Sequence, residues 1–141
     1  MSGVAFEDVA VGDRIPHLSI TIDRARLVEY VGASGDRNPI HWDEVAARDV
    51  GLPDVIAHGM FTMGAAVETV SAWAGHGGKV VLYQTKFTSP VPVPRGGGAV
   101  VEVDGTVAKV DVEQRQVTVD LTVTSGGTKV LGRPLVIVRL A

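Results

Sequence analysis

The chain has 141 residues, 13 of them basic and 16 acidic, a formal net charge of −3 and no cysteine. The missing thiol excludes disulfides, thiolate metal sites and a cysteine nucleophile, and the absence of any Lys/Arg cluster removes the footprint of a nucleic-acid binder. No apolar run approaches the ~18 residues of a membrane span and the N-terminus lacks a basic-then-apolar leader, so we expect one cytoplasmic domain over residues 1–141 with neither nucleic-acid nor membrane partners.

Residues 4–13 read as a lead-in closed by turn chemistry at Val11-Gly12-Asp13. Leu18-Ser19-Ile20-Thr21-Ile22 then alternates apolar with polar as a half-buried strand does. Asp23 stands where an N-cap belongs, and Ala25, Leu27, Val28 and Val31 follow helical spacing until Gly32 and Gly35 weaken the helix. Residues 41–49 predict a second short helix, with Asp43 and Glu44 at its positive end and Gly51 and Pro53 stopping it. Residues 60–73 leave few polar positions on any face, which predicts a long helix buried nearly all round. Gly64, Ala65 and Ala66 are small enough to let a sheet lie directly on it, and Gly75, Gly77 and Gly78 end it.

Strands follow. Residues 80–87 precede Pro90, Pro92 and Pro94 and a turn at Gly96 to Gly98. In residues 99–110, Val101, Val103 and Val107 alternate with Glu102, Asp104 and Thr106, and residues 117–124 repeat the pattern. After Gly126-Gly127 a last strand over residues 129–140 completes a hairpin. One-sided alternation implies an antiparallel sheet, so the order of elements predicts an α+β fold with helices on one face.

The chemistry-bearing residues sit in the loop between the first two helices. Asp36 and His41 flank Asn38-Pro39, and Pro39 forces a bend because it lacks an N–H and drives Asn38 out of helical geometry. An unbroken helix would set two side chains five residues apart about 140° around its axis. The bend can aim both at one pocket, placing a proton donor and a proton acceptor together. Asn38 suits tying the loop through side-chain to backbone bonds.

The run Ser34-Gly35-Asp36-x-Asn38-Pro39-x-His41-x-Asp43, followed by Ile56-Ala57-His58-Gly59-Met60, resembles the signature of the MaoC-like family of (R)-specific enoyl-thioester hydratases and (3R)-hydroxyacyl-thioester dehydratases. With Val91-Pro92-Val93-Pro94, the chain is similar to the B subunits of actinobacterial (3R)-hydroxyacyl-ACP dehydratases. The resemblance implies a hot-dog fold, an antiparallel sheet wrapped around one long central helix, in dimers joined edge to edge. It implies Asp36 and His41 as the catalytic pair, the Gly59 backbone N–H as oxyanion donor, and reversible dehydration of acyl-ACP or acyl-CoA substrates in fatty-acid elongation. The partner is a second copy or a second hot-dog subunit, and no metal or other cofactor is implied.

Trp42 and Thr62 are candidates for an acyl pocket, with helix capping the alternative for Thr62. His58 reads as a packing residue; its use as a metal ligand with His41 and Asp36 lacks metal-type spacing. Glu68, alone in an apolar helix, fits a dimer seam or an ion pair. Two rival functions are a hot-dog thioesterase, where a helix carboxylate works alone, and a non-catalytic acyl-binding subunit.

Overall fold

A computed structural model describes residues 2–76 and 78–141. After a 3-10 turn at Phe6–Asp8, the elements are β1 (Arg14–Ile22), α1 (Arg24–Ser34), a 3-10 turn at Pro39–His41, α2 (Glu44–Asp49), α3 (Gly59–Ala66) and α4 (Glu68–Ala74). The strands β2 (Lys79–Phe87), β3 (Ala99–Asp111), β4 (Gln116–Ser125), β5 (Thr128–Lys129) and β6 (Leu131–Arg139) complete the chain. The sheet runs β1-β3-β4-β6-β2, every pair antiparallel, with β5 hairpinned onto β4 across Gly126-Gly127. This is the expected α+β order, with β1 and β2 at the two edges.

The alternation works as the sequence implies. Val101, Val103, Val107, Val117, Val119, Val123, Val136 and Val138 are all buried and join Ala66, Val70 and Ala74 of the helical layer in one core. Each buried valine contributes about 1.5–3 kcal/mol relative to exposure. Gly105 makes room for the core: a β-carbon there would lie 2.4 Å from Ile15 Cδ1, so the buried Ile15 would have to shift. A bulge in β1 between Ile15 and Leu18 lets the Pro16 carbonyl accept the Thr69 hydroxyl of α4, and the Tyr83 hydroxyl of β2 donates to the Met63 carbonyl of α3. Those two bonds clamp the helices to opposite ends of the sheet order.

Several boundaries depart from expectation. The long helix is two segments separated by Val67, whose φ of −74° and ψ of −11° remain in the right-handed region. It is buried on one face only, along Thr62, Ala66, Thr69, Val70 and Ala74, while Met60, Gly64 and Glu68 are exposed; an apolar count cannot separate a core face from an outward one. Of its expected terminators, Gly75 caps α4 with its N–H on the Ser71 carbonyl, and Gly77 lies outside the described residues. The second helix starts only at Glu44, because Asp43 caps it by accepting from the Val45 and Ala46 N–H groups. The last strand breaks at Val130, and Arg133 takes a φ of 46° within β6.

Candidate active site

Local hydrogen bonds shape the loop after α1. The Asp23 carboxylate caps the helix start through the Arg26 N–H, and Gly35 ends it in left-handed conformation, φ 75°, its N–H on the Val31 carbonyl. Ser34 Oγ donates to the Tyr30 carbonyl and accepts from the Asp36 N–H; Asp36 Oδ1 accepts from the Asn38 N–H, and Asn38 Oδ1 accepts from the Ile40 N–H. Asn38 therefore ties the loop and caps the Pro39–His41 turn. Short polar side chains that bond backbone two residues away replace the helical ladder Pro39 cannot join.

That turn delivers His41 inward. Its Nδ1 lies 2.7 Å from the Ile56 carbonyl, which can only accept, so Nδ1 carries a proton and Nε2 is left facing the Asp36 carboxylate at 3.9 Å. His41 is buried, whereas the Asp36 side chain is half-exposed at 53%. Ile56 also donates its N–H to the Ile40 carbonyl, and Ala57 N–H bonds the Val91 carbonyl while Val93 N–H bonds the Val55 carbonyl. Residues 55–57 thus bridge the loop to the proline-rich strap. Arg24 fastens the strap from α1, donating to the Val93 carbonyl and to Asp54, and pairing with Glu44. Arg95 and Arg24 hold the Glu44 carboxyl below the usual carboxylate range.

A cavity of about 280 Å³ opens against His41. Gly59, at the first position of α3, and Thr62, one turn on, line it together with Ile56, Phe87, Val91 and Leu131. The first N–H groups of a helix have no intrahelical partner, the N-cap residue of α3, His58, supplies no side-chain cap, and Gly59 of that positive dipole end borders the cavity. The His41 imidazole, the start of α3 and an apolar wall meet in one place, while Asp36 is not among the residues that line it.

Trp42 does not join them. Its indole N–H donates to the Arg37 carbonyl, which holds the ring outside the loop, half-exposed, beside Val28 and Val31. Thr62 is buried in the cavity wall, its hydroxyl 3.5 Å from the His58 carbonyl. Glu68 is exposed at the start of α4 and does not line the cavity.

His58 does more than its neighbourhood in the sequence signals. It is 2% exposed, its ring stacks on that of His41 with centroids 3.7 Å apart and planes 20° apart, and Tyr30 meets it edge-on at 4.6 Å. Nε2 lies 3.2 Å from the Asp36 carbonyl and so donates there, while Nδ1 has no partner among the described residues. Burial pushes its pKa below the ordinary histidine value, against the raising effect of the Asp36 carbonyl. Ligand atoms of Asp36, His41 and His58 lie within 4.8 Å of one another. Imidazole lone pairs lie in the ring plane, however, and two nearly parallel stacked rings run theirs side by side, which is poor geometry for a shared ion.

Residues 8–126 match the family described as MaoC like domain. The chain belongs to the MaoC-like family. Among curated relatives, 3-hydroxyacyl-thioester dehydratase X of Mycobacterium tuberculosis is 38% identical over 91 residues, 64% of this chain and 31% of that protein. The 3-hydroxybutyryl-CoA dehydratase of Methylorubrum extorquens is 34% identical over 127 residues, covering 89% of this chain and 78% of the relative. A solved structure titled MaoC-like dehydratase superposes with a TM-score of 0.91 at 39% identity, over 99% of this chain and 43% of that one. The chain thus spans about a third of the first relative and less than half of that solved chain. Its sheet packed on a helical layer is the hot-dog arrangement of MaoC-like proteins. No helix among the described residues is long and apolar enough to cross a membrane.

Proposed function

We propose that this MaoC-like chain catalyses the reversible dehydration of (3R)-hydroxyacyl thioesters, carried on CoA or an acyl carrier protein, to trans-2-enoyl thioesters, and serves fatty-acid elongation. The observation that carries the reading is His41 Nε2, with no other partner among the described residues, facing the Asp36 carboxylate at 3.9 Å while His41 lines one cavity with Gly59 at a helix N-terminus.

The pair shares one proton. In hydration the Asp36 carboxylate takes a proton from water as its oxygen adds to C3, and the His41 imidazolium gives its Nε2 proton to C2. Charge growing on the thioester oxygen meets the Gly59 N–H, where the lack of a β-carbon admits the carbonyl. Transfer from the Asp36 carboxyl back to His41 restores the pair, and dehydration runs the same steps in reverse. The Ile56 carbonyl keeps the Nδ1 proton in place throughout, so only Nε2 exchanges.

The test is hydration of crotonyl-CoA and dodecenoyl-CoA, by the chain alone and with a second hot-dog subunit, followed by loss of enoyl absorbance and by the stereochemistry of the alcohol. Asp36→Asn and His41→Ala each lower turnover ~10²–10⁴-fold in a folded protein. Near wild-type turnover in either variant sinks the assignment. Release of free thiol without hydration marks a thioesterase, and an inert wild type with every substrate and partner marks an acyl-binding subunit.

A further inference from the structure

His58 is buried, touches both members of the proposed pair, and has no step of its own in the reaction above. Its Nε2–H reaches the Asp36 main-chain carbonyl, at the point where the loop must present its carboxylate, and its ring lies flat on His41. The other nitrogen, Nδ1, is enclosed without a partner among the described residues. A proton there would place an unpaired charge in a dry site directly against a second imidazole. The titratable groups packed against it are His41 and Asp36 from the loop and Tyr30 from α1; only Asp36 could offset a positive ring, and although its carboxylate comes within 4.8 Å of a His58 ring nitrogen it makes no hydrogen bond there, the one bond between the two residues being Nε2–H to the Asp36 carbonyl.

We propose that His58 is a positioning residue: a permanently neutral imidazole that anchors the Asp36 backbone through Nε2–H and sets the plane of the His41 ring by stacking on it. This rests on the dehydratase reading of the same site. Neutrality is what makes the arrangement work, since two imidazolium rings stacked at 3.7 Å would repel and His41 could not then hold its proton ready for C2. Desolvation of His58 favours the neutral ring in the same direction. Its place immediately before Gly59 couples the acid–base pair to the oxyanion donor through one rigid segment, so a shift in the loop is felt at both ends of the substrate.

Two measurements on the full chain test this. Nitrogen-15 spectra of the histidine rings, recorded across the pH range in which an ordinary histidine titrates, show His58 fixed as the neutral Nε2–H tautomer; a His58 ring that titrates in that range, or carries its proton on Nδ1, overturns the proposal. His58→Phe keeps a stackable ring without the donor, and His58→Gln keeps an N–H near the Nε2 position without the ring. Because misplacing reacting groups by about 1 Å can cost ~10²-fold, kcat of the Phe variant drops by that order with KM nearly unchanged, and Gln recovers part of the loss. Wild-type kcat and an unaltered pH profile in both variants refute it. A wild type unable to hydrate any thioester defeats the dehydratase reading instead, while the ring spectra still judge His58.

Discussion

Gly59 lies under the Phe87 ring: a β-carbon at position 59 would meet three carbons of that ring at 3.1 Å. Phe87 closes β2 at the cavity rim and is 56% exposed, so it has room to yield. Gly59 itself has no left-handed backbone angle, and alanine suits the first turn of a helix better than glycine does. Gly59→Ala is therefore expected to fold with a melting temperature close to wild type while enoyl-thioester hydration falls ~10²–10³-fold, the scale of losing one oxyanion donor. Unchanged kcat/KM in a folded Gly59→Ala protein would show that the bare α-carbon at 59 is not what admits the thioester carbonyl, since alanine keeps the N–H.

A pH dependence follows from the bulge in β1. His17 sits across from β3, with Nδ1 2.9 Å from Asp104 and Nε2 2.6 Å from Glu102. The Asp104 bond, then the Glu102 bond, raise its pKa above the ordinary 6.5. A histidine whose folded pKa is raised stabilises the fold fully below its unfolded value and loses that contribution as pH climbs through the folded one. The melting-temperature gap between wild type and His17→Ala is accordingly widest at mildly acid pH and shrinks on the alkaline side. Differential scanning fluorimetry across that range decides it; a gap that is flat, or that widens toward alkaline pH, contradicts the linkage.

The parts of the fold and site that depend on near neighbours were legible in the chain. Asp23 and Asp43 cap helices because a short carboxylate reaches N–H groups two or three residues ahead, and the valine alternation of β3 and β4 needs only the two-residue period. The Asp36–Asn38–Ile40 chain of bonds is local in the same sense. What stayed hidden depends on distant pairing. The first half of β1 lacks alternation because Pro16 and His17 sit at a bulge, and its polar residues find acidic partners more than eighty positions away. His58 looked like filler because its value comes from stacking on a ring delivered by another loop. That Trp42 lies outside the His41 cavity, beside Val28 and Val31, was equally hidden, because nothing in its immediate sequence reveals that the Arg37 carbonyl holds the indole there.

The last prediction concerns assembly. β2 ends the sheet, and Val80, Val81 and Leu82 remain 42%, 44% and 41% exposed in succession, so neither face of this stretch is covered within the chain. Natural edge strands are blunted by charge, prolines or covering loops, whereas here the lysines stand only at Lys79 and Lys86, flanking the apolar stretch. We propose that this edge pairs with a second hot-dog subunit, a copy of this chain or a related one. Val81 sits at a bulge in β2, between Val80 opposite Val138 and Leu82 opposite Ile137, so Val81→Lys and Leu82→Lys each put a charge into the apolar stretch of the seam, one at the bulge and one in the paired register. Both positions are open in the single chain, and both variants should keep a native far-ultraviolet spectrum. Sedimentation of the wild type at micromolar concentration should give a species larger than one chain, and each lysine variant should shift it to the mass of one. A wild type that sediments as a single chain and hydrates enoyl-CoA unaided, or lysine variants that assemble as before, would show that β2 is not the seam.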